Sequence, residues 1–152
     1  MTTMTAQTTQ VYQVFIKASP EAIWEAITQP EFTQRYFHGT AVESTLAPGT
    51  AFNFNYADGS GLAVEGSVVE SAPPRRLVHT WHALYDPSLA DEEPSRVTWE
   101  IEPQEGGISL LTVVHDQLEG APRTAEGVSG TGWTHVLSGL KTLLETGEPL
   151  FG

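Results

Sequence analysis

From about residue 41 to residue 115 the apolar positions of this chain recur every second residue, and from residue 133 they recur every three to four. That change of period constrains the fold more than any other feature. Phe52, Phe54 and Tyr56 alternate with Ala51, Asn53 and Asn55, and Asp58-Gly59 marks a turn into a second run, LAVEGSVVE. PPRRLVHTWH follows, with Leu77, His79 and Trp81 on one face and Val78, Thr80 and His82 on the other. Val97, Trp99 and Ile101 form the next stripe, and ISLLTVVH closes a meander after the turn at Glu105-Gly106-Gly107. Trp133, Val136, Leu137, Leu140, Leu143 and Leu144 then predict one amphipathic helix over Trp133–Glu145, ending near Gly147. A half-buried sheet and a lone terminal helix each carry an apolar face, so the helix must fold back onto the sheet.

The start of the chain adds one strand and two short helices. Val11–Lys17 is rich in β-branched and aromatic residues and reads as a strand. Ser19 suits a helix cap, Pro20 the first helical position and Glu21 the positive end of the dipole. Pro30 stops that helix and opens another, EFTQRYFH, expected to end on a left-handed Gly39. Met1–Gln10 is Thr-rich, lacks the basic and apolar regions of a signal peptide, and reads as a disordered tail before a single domain over 11–152. YDPSLADEEP has no apolar period and reads as an exposed loop; Asp116–Thr131 reads as a long Gly-rich connection with a flexible approach to the last helix. The fold class expected is α+β.

Composition excludes several functions. Seven Lys plus Arg against nineteen Asp plus Glu give a formal charge of −12, a field that repels phosphate backbones and anionic headgroups, so neither nucleic acid nor membrane is expected as a partner. There is no cysteine, hence no disulfide, thiolate nucleophile or cysteine metal site, which fits a cytoplasmic protein. No H-x-x-x-H, H-E-x-x-H, G-x-S-x-G or phosphate-cradling glycine motif occurs, so no metal, no cofactor and no nucleophilic catalytic residue is expected.

Four stretches, ASPEAIWEAITQPEFTQRYF, GSVVESAPPRRLVHTW, SRVTWEIEPQEGGISLLTVVH and GWTHVLSGLKTLLE, resemble in order and spacing the heat-shock-protein-90 ATPase activator homologue-like family of START-like (SRPBCC) domains, from about Val11 to Glu145. The resemblance implies a helix-grip fold: a curved antiparallel sheet wrapped around the C-terminal helix, with a cavity between them. It implies little about activity, since START-like domains include lipid carriers, hormone-binding proteins and cyclases. The family takes its name from co-chaperones that carry a further N-terminal domain, which the residues before Val11 are too few to form. A chaperone partner is therefore the lesser expectation; a homodimer is compatible with the sequence.

The leading expectation is that the cavity binds a small hydrophobic or aromatic molecule. Phe52, Phe54, Tyr56, Trp81, Trp99, Trp133 and Leu137 are its expected wall, because bulky rings alternate there and their N–H and O–H groups can orient a ligand. The structural reading of the same stripe is ordinary core packing. His79 and His115 share inward faces with Trp81 and Val113 and complete the set. They motivate an alternative, a cyclase- or hydrolase-type enzyme using cavity histidines; a co-chaperone-like binding domain is the other.

Overall fold

Alternation in the middle of the chain becomes an eight-stranded antiparallel sheet, in the computed structural model, which describes residues 7–151. The strands are β1 (Gln10–Ile16), β2 (Thr40–Ser44), β3 (Phe52–Tyr56), β4 (Leu62–Glu65), β5 (Val68–Ala72), β6 (Arg76–Ala83), β7 (Ser95–Pro103) and β8 (Ser109–Asp116). Their spatial order is β1-β8-β7-β6-β4-β3-β2, with β5 also paired to β6. Four helices accompany them: α1 (Pro20–Thr28), α2 (Pro30–Tyr36), α3 (Pro122–Gly127) and α4 (Trp133–Thr146). This is the helix-grip arrangement, with two short helices after the first strand and the long helix last. One cluster of buried apolar residues runs from Ile16 on β1 to Leu143 on α4.

Local chemistry explains most boundaries. The Ser19 hydroxyl accepts from the Ala22 N–H, Pro20 opens α1, and Gly147 ends α4 in the left-handed region at φ 81° while its N–H bonds to the Leu143 carbonyl. Gly139 lets α4 approach α2 closely, since a Cβ there would sit 3.1 Å from the Tyr36 Cβ. Tyr36, fully buried, donates its hydroxyl to the Ala26 carbonyl at 2.8 Å and ties α2 to α1.

Several expectations are corrected. LAVEGSVVE is two strands, broken at Gly66, where any Cβ would run into the Thr80 carbonyl oxygen of β6. β4 and β5 then follow one another along the same edge of β6. α2 stops at Tyr36 rather than at Gly39, because Phe37 already leaves helical geometry. The approach to α4 is not an irregular connection; Val128–Gly132 forms a wide helical turn that runs directly into α4. The acidic stretch is not simply exposed, since Leu89 is buried in the core. β1 begins at the buried Gln10, one residue before the expected boundary, and the tail expected before it falls for Met1–Ala6 outside the described residues.

Candidate functional site

A cavity of about 430 Å³ lies between the curled side of the sheet and the start of α4. β3 contributes Phe54 and Tyr56, β4 contributes Ala63 and Val64, and β6 contributes Trp81. The opposite wall is Phe37 and His38 after α2, the turn from Gly127 to Gly132, and Trp133 and Val136 of α4. Tyr85, at the head of the acidic loop, closes one side. Among the lining residues Ala63 and Gly127 are small, and a Cβ added at Gly127 would meet nothing within 4 Å, whereas one at Gly132 would run into the Gly127 carbonyl oxygen at 2.8 Å.

Of the nine residues expected at the site, Phe54, Tyr56, Trp81 and Trp133 line this cavity. Phe52, His79, Trp99, His115 and Leu137 do not; they are buried elsewhere in the same core. The two groups form one aromatic assembly. Phe37 stacks on Phe54 at 4.5 Å between centroids, Trp81 lies 5.7 Å from Trp133, Trp99 meets Trp133 edge-on at 5.4 Å, and Phe52 stacks on His79 at 4.1 Å. Such pairs add roughly 0.5–1.5 kcal/mol each beyond area burial.

Both buried histidines are locked by indoles. An indole N–H can only donate. Trp99 Nε1 donates to His79 Nε2 at 2.9 Å, so the His79 proton sits on Nδ1 and is given to the Thr80 carbonyl at 3.0 Å. Trp133 Nε1 donates to His115 Nδ1 at 3.0 Å, so His115 carries its proton on Nε2 and gives it to Ser95 Oγ at 2.7 Å; that hydroxyl donates onward to the Trp81 carbonyl. The two rings are thus opposite tautomers. A second proton on either would set two donors face to face in a dry interior. Burial accordingly lowers His79 to about 4, and burial with His79 nearby lowers His115 to about 3. Neither has a free lone pair for accepting a proton, and the inward face read from the sequence leads to the core rather than to the cavity.

Sequence reasoning missed Phe37, His38, Tyr85 and the 127–132 turn. Tyr85 and His38 stand outside any periodic run, and the only signal at 127–132 was the glycine spacing. His38 occupies the left-handed region at φ 52° and stacks on His135 at 4.5 Å, which in turn stacks on Phe151 at 3.8 Å. Burial, then the neighbouring His135, lowers His38 as well. His82, read as a surface residue, faces outward and joins two elements: Nδ1 meets Glu65 Oε1 at 2.8 Å and Nε2 meets the Ala90 carbonyl at 2.9 Å. Asp116 lies on the opposite face from its neighbour His115 and pairs with Arg96. Among the described residues no cluster of His, Asp and Glu could hold a metal ion, and no helix is long and apolar enough to cross a membrane.

Comparison with known proteins places this geometry. The chain is similar in structure to protein MLL2253 from Mesorhizobium loti, at 28% identity and a TM-score of 0.73, over 90% of this chain and 96% of that one. It is also similar to an HSP90 activator from Plasmodium falciparum, at 19% identity and a TM-score of 0.74, over 91% and 97% of the two chains. A third likeness is to the Aha1 dimer from Colwellia psychrerythraea, at 20% identity and a TM-score of 0.69, over 93% and 98%. No curated protein matches the chain. The profile of the family described as Activator of Hsp90 ATPase homolog 1-like protein matches residues 17–145, so the chain belongs to that family, within the START-like helix-grip superfamily.

Proposed function

We propose that this protein binds a small, largely apolar or aromatic molecule in the cavity between the sheet and α4. The observation that carries the reading is that about 430 Å³ stays unfilled beside a core whose other aromatic rings are closely stacked. A volume of this size suits a compact ligand, and the wall has the usual composition of such sites, mostly apolar with a few polar groups. Phe54, Tyr56, Trp81 and Trp133 are the contact surface in this reading. Phe52, His79, Trp99, His115 and Leu137 support it from the core. An enzymatic role for His79 and His115 is less favoured, because their lone pairs are occupied by the Trp99 and Trp133 indoles.

A thermal-shift screen of aromatic and acyl compounds, with native mass spectrometry of the purified protein, tests the proposal. A ligand held at 100 times its Kd adds about 2.7 kcal/mol of stability, which for a domain this size raises Tm by roughly 5–10 °C. Val136→Trp, which projects a large ring into the cavity, should weaken the gain while leaving the protein folded. If no compound raises Tm, or if Val136→Trp keeps the full gain, the cavity is not the binding site.

A further inference from the structure

β1 ends the sheet on one side, and it pairs with β8 alone: Val11 lies opposite Val114, Gln13 opposite Thr112 and Phe15 opposite Leu110. Backbone groups of an antiparallel strand point to its two sides in alternation. The Thr8 carbonyl accepts from Leu118 N–H on the β8 side, whereas the Phe15 carbonyl accepts from Lys141 Nζ at 2.8 Å and Lys17 N–H donates to Glu145 Oε2 at 2.8 Å, both on α4. Odd-numbered residues therefore turn away from β8. Among the described residues nothing bonds to the N–H groups of Val11, Gln13 and Phe15 or to the carbonyls of Val11 and Gln13. The opposite end of the sheet differs, since α2 packs along β2 and Val42 N–H donates to the Thr33 hydroxyl. Val11 and Phe15 are also the most exposed large apolar side chains, at 59% and 57%. With Gln13 and their partners on β8 they form a patch on the outer face that carries no charge, in a chain at −12.

We propose that β1 pairs antiparallel with β1 of a second copy across a two-fold axis at Gln13, so that two sheets become one. That axis sets Gln13 against the partner's Gln13 and Val11 against the partner's Phe15, closing roughly six backbone hydrogen bonds. A carbonyl has two lone pairs, so Phe15 keeps Lys141 and takes the partner's Val11 N–H as well. Glu145 already holds Lys17 N–H, which ends the open stretch at Phe15 and stops the pairing from sliding. Charge favours a copy of this chain as the occupant. Two chains at −12 can meet on the neutral patch without opposing carboxylates, whereas a basic partner would be drawn to the acidic faces instead. Lys17 and Asp116 stand at opposite ends of the patch, and the two-fold brings the partner's Lys17 across from Thr9, the residue next to Asp116 in the register.

An interface this small falls in the class under about 1,200 Å² that forms weak, reversible pairs, so half-pairing is expected at roughly 100 µM. Amide hydrogen exchange of the wild-type protein at about 5 µM and about 1 mM reads it by mass action. At the higher concentration exchange at Val11, Gln13 and Phe15 should slow about 5-fold, with Tyr12 and Val14, which bond to β8, unchanged. The chain has no cysteine of its own, so Gln13→Cys gives a single thiol at the axis. Its Cα would lie about 5.5 Å from the partner's, within disulfide reach, and it should cross-link at least about tenfold faster than Val69→Cys, an exposed control on β5. Val11→Lys with Phe15→Lys should abolish both signals, and Val11→Lys with Phe15→Glu, which sets opposite charges across the axis, should restore them. Exchange independent of concentration, equal oxidation of the two cysteine variants, or pairing that survives both lysines overturns the inference. Protection of the three amides already at the low concentration overturns it too, since the edge is then covered within one chain. Slowing that appears only when an extended peptide is added assigns the edge to a strand of another protein and overturns the second copy.

Discussion

His79 and His115 differ from His82 in what their nitrogens face, and that difference sets their response to pH. Each buried imidazole accepts from an indole and donates to an oxygen, an arrangement that only the neutral ring satisfies. Folded values of about 4 and about 3 lie below the unfolded value of about 6.5. The unfolded chain therefore takes up protons first as pH falls. Stability from these two groups is complete above about 6.5 and declines through the window down to about 4 for His79 and about 3 for His115, by at most ~1.4 kcal/mol per pH unit for each ring. His82 has the opposite sign: both its nitrogens face acceptors, the Glu65 hydrogen bond raises it, and its contribution is complete below the unfolded value and lost as pH rises through the folded one. Imidazole proton shifts followed by NMR should show His82 titrating above 6.5 while His79 and His115 stay neutral to pH 5. A midpoint near 6.5 for His115 would refute the indole-locked arrangement. Inward faces for both histidines were legible in the alternation of β6 and β8. Their partners were not, because Trp99 lies 20 residues from His79 and Trp133 lies 18 from His115.

At the level of elements, one glycine and one loop decide how the cavity is framed. Gly66→Ala should cost roughly 3 kcal/mol in urea unfolding, because the new methyl meets the backbone of β6, which cannot yield without breaking the pairing of β4 or β5. A loss under about 1 kcal/mol would show that the sheet relaxes there. The loop Leu84–Pro94 is tied at both ends. His82 holds the Ala90 carbonyl, while Glu92 accepts from the Arg123 and Thr124 amides at 2.7 and 3.0 Å and from the Thr124 hydroxyl at 2.8 Å. Burial opposes the charge on Glu92, yet these bonds keep its carboxyl below its ordinary value. It thereby caps α3, whose own preceding residue, Ala121, has no side chain able to do so. Glu92→Ala should cost about 1 kcal/mol and speed amide hydrogen exchange across Arg123–Gly127, with exchange in β7 and β8 unchanged. Equal acceleration everywhere would mean that the loop holds the whole fold rather than α3. Helix caps and strand stripes could be read locally, but the break at Gly66 could not, since the obstruction comes from another strand.

For the whole molecule, the excess of acid sets the response to salt. With a formal charge of −12, and with cations such as Arg76, Arg96 and Lys141 already engaged in ion pairs, most carboxylates among the described residues are in no ion pair. Screening that self-repulsion favours the compact state. Tm should therefore rise by a few degrees between about 20 and 300 mM NaCl at pH 7, measured by calorimetry. A fall would mean that the ion pairs outweigh the repulsion.

The sequence by itself determined the elements and their order, because strand alternation, helix period, caps and turn glycines are local properties of the chain. It also determined which faces are apolar, and hence that α4 must return to the sheet. Whether an inward ring lines a cavity or fills the core was decided only by the tertiary structure. Phe52 and Phe54 occupy the same face of β3, yet Phe54 borders the cavity and Phe52 stacks on His79. The distinction depends on where the strand pairing breaks at Gly66 and on which residues of α2, α4 and the segment before α4 pack over each ring. Both are relations between residues far apart in the chain, and no local pattern encodes them.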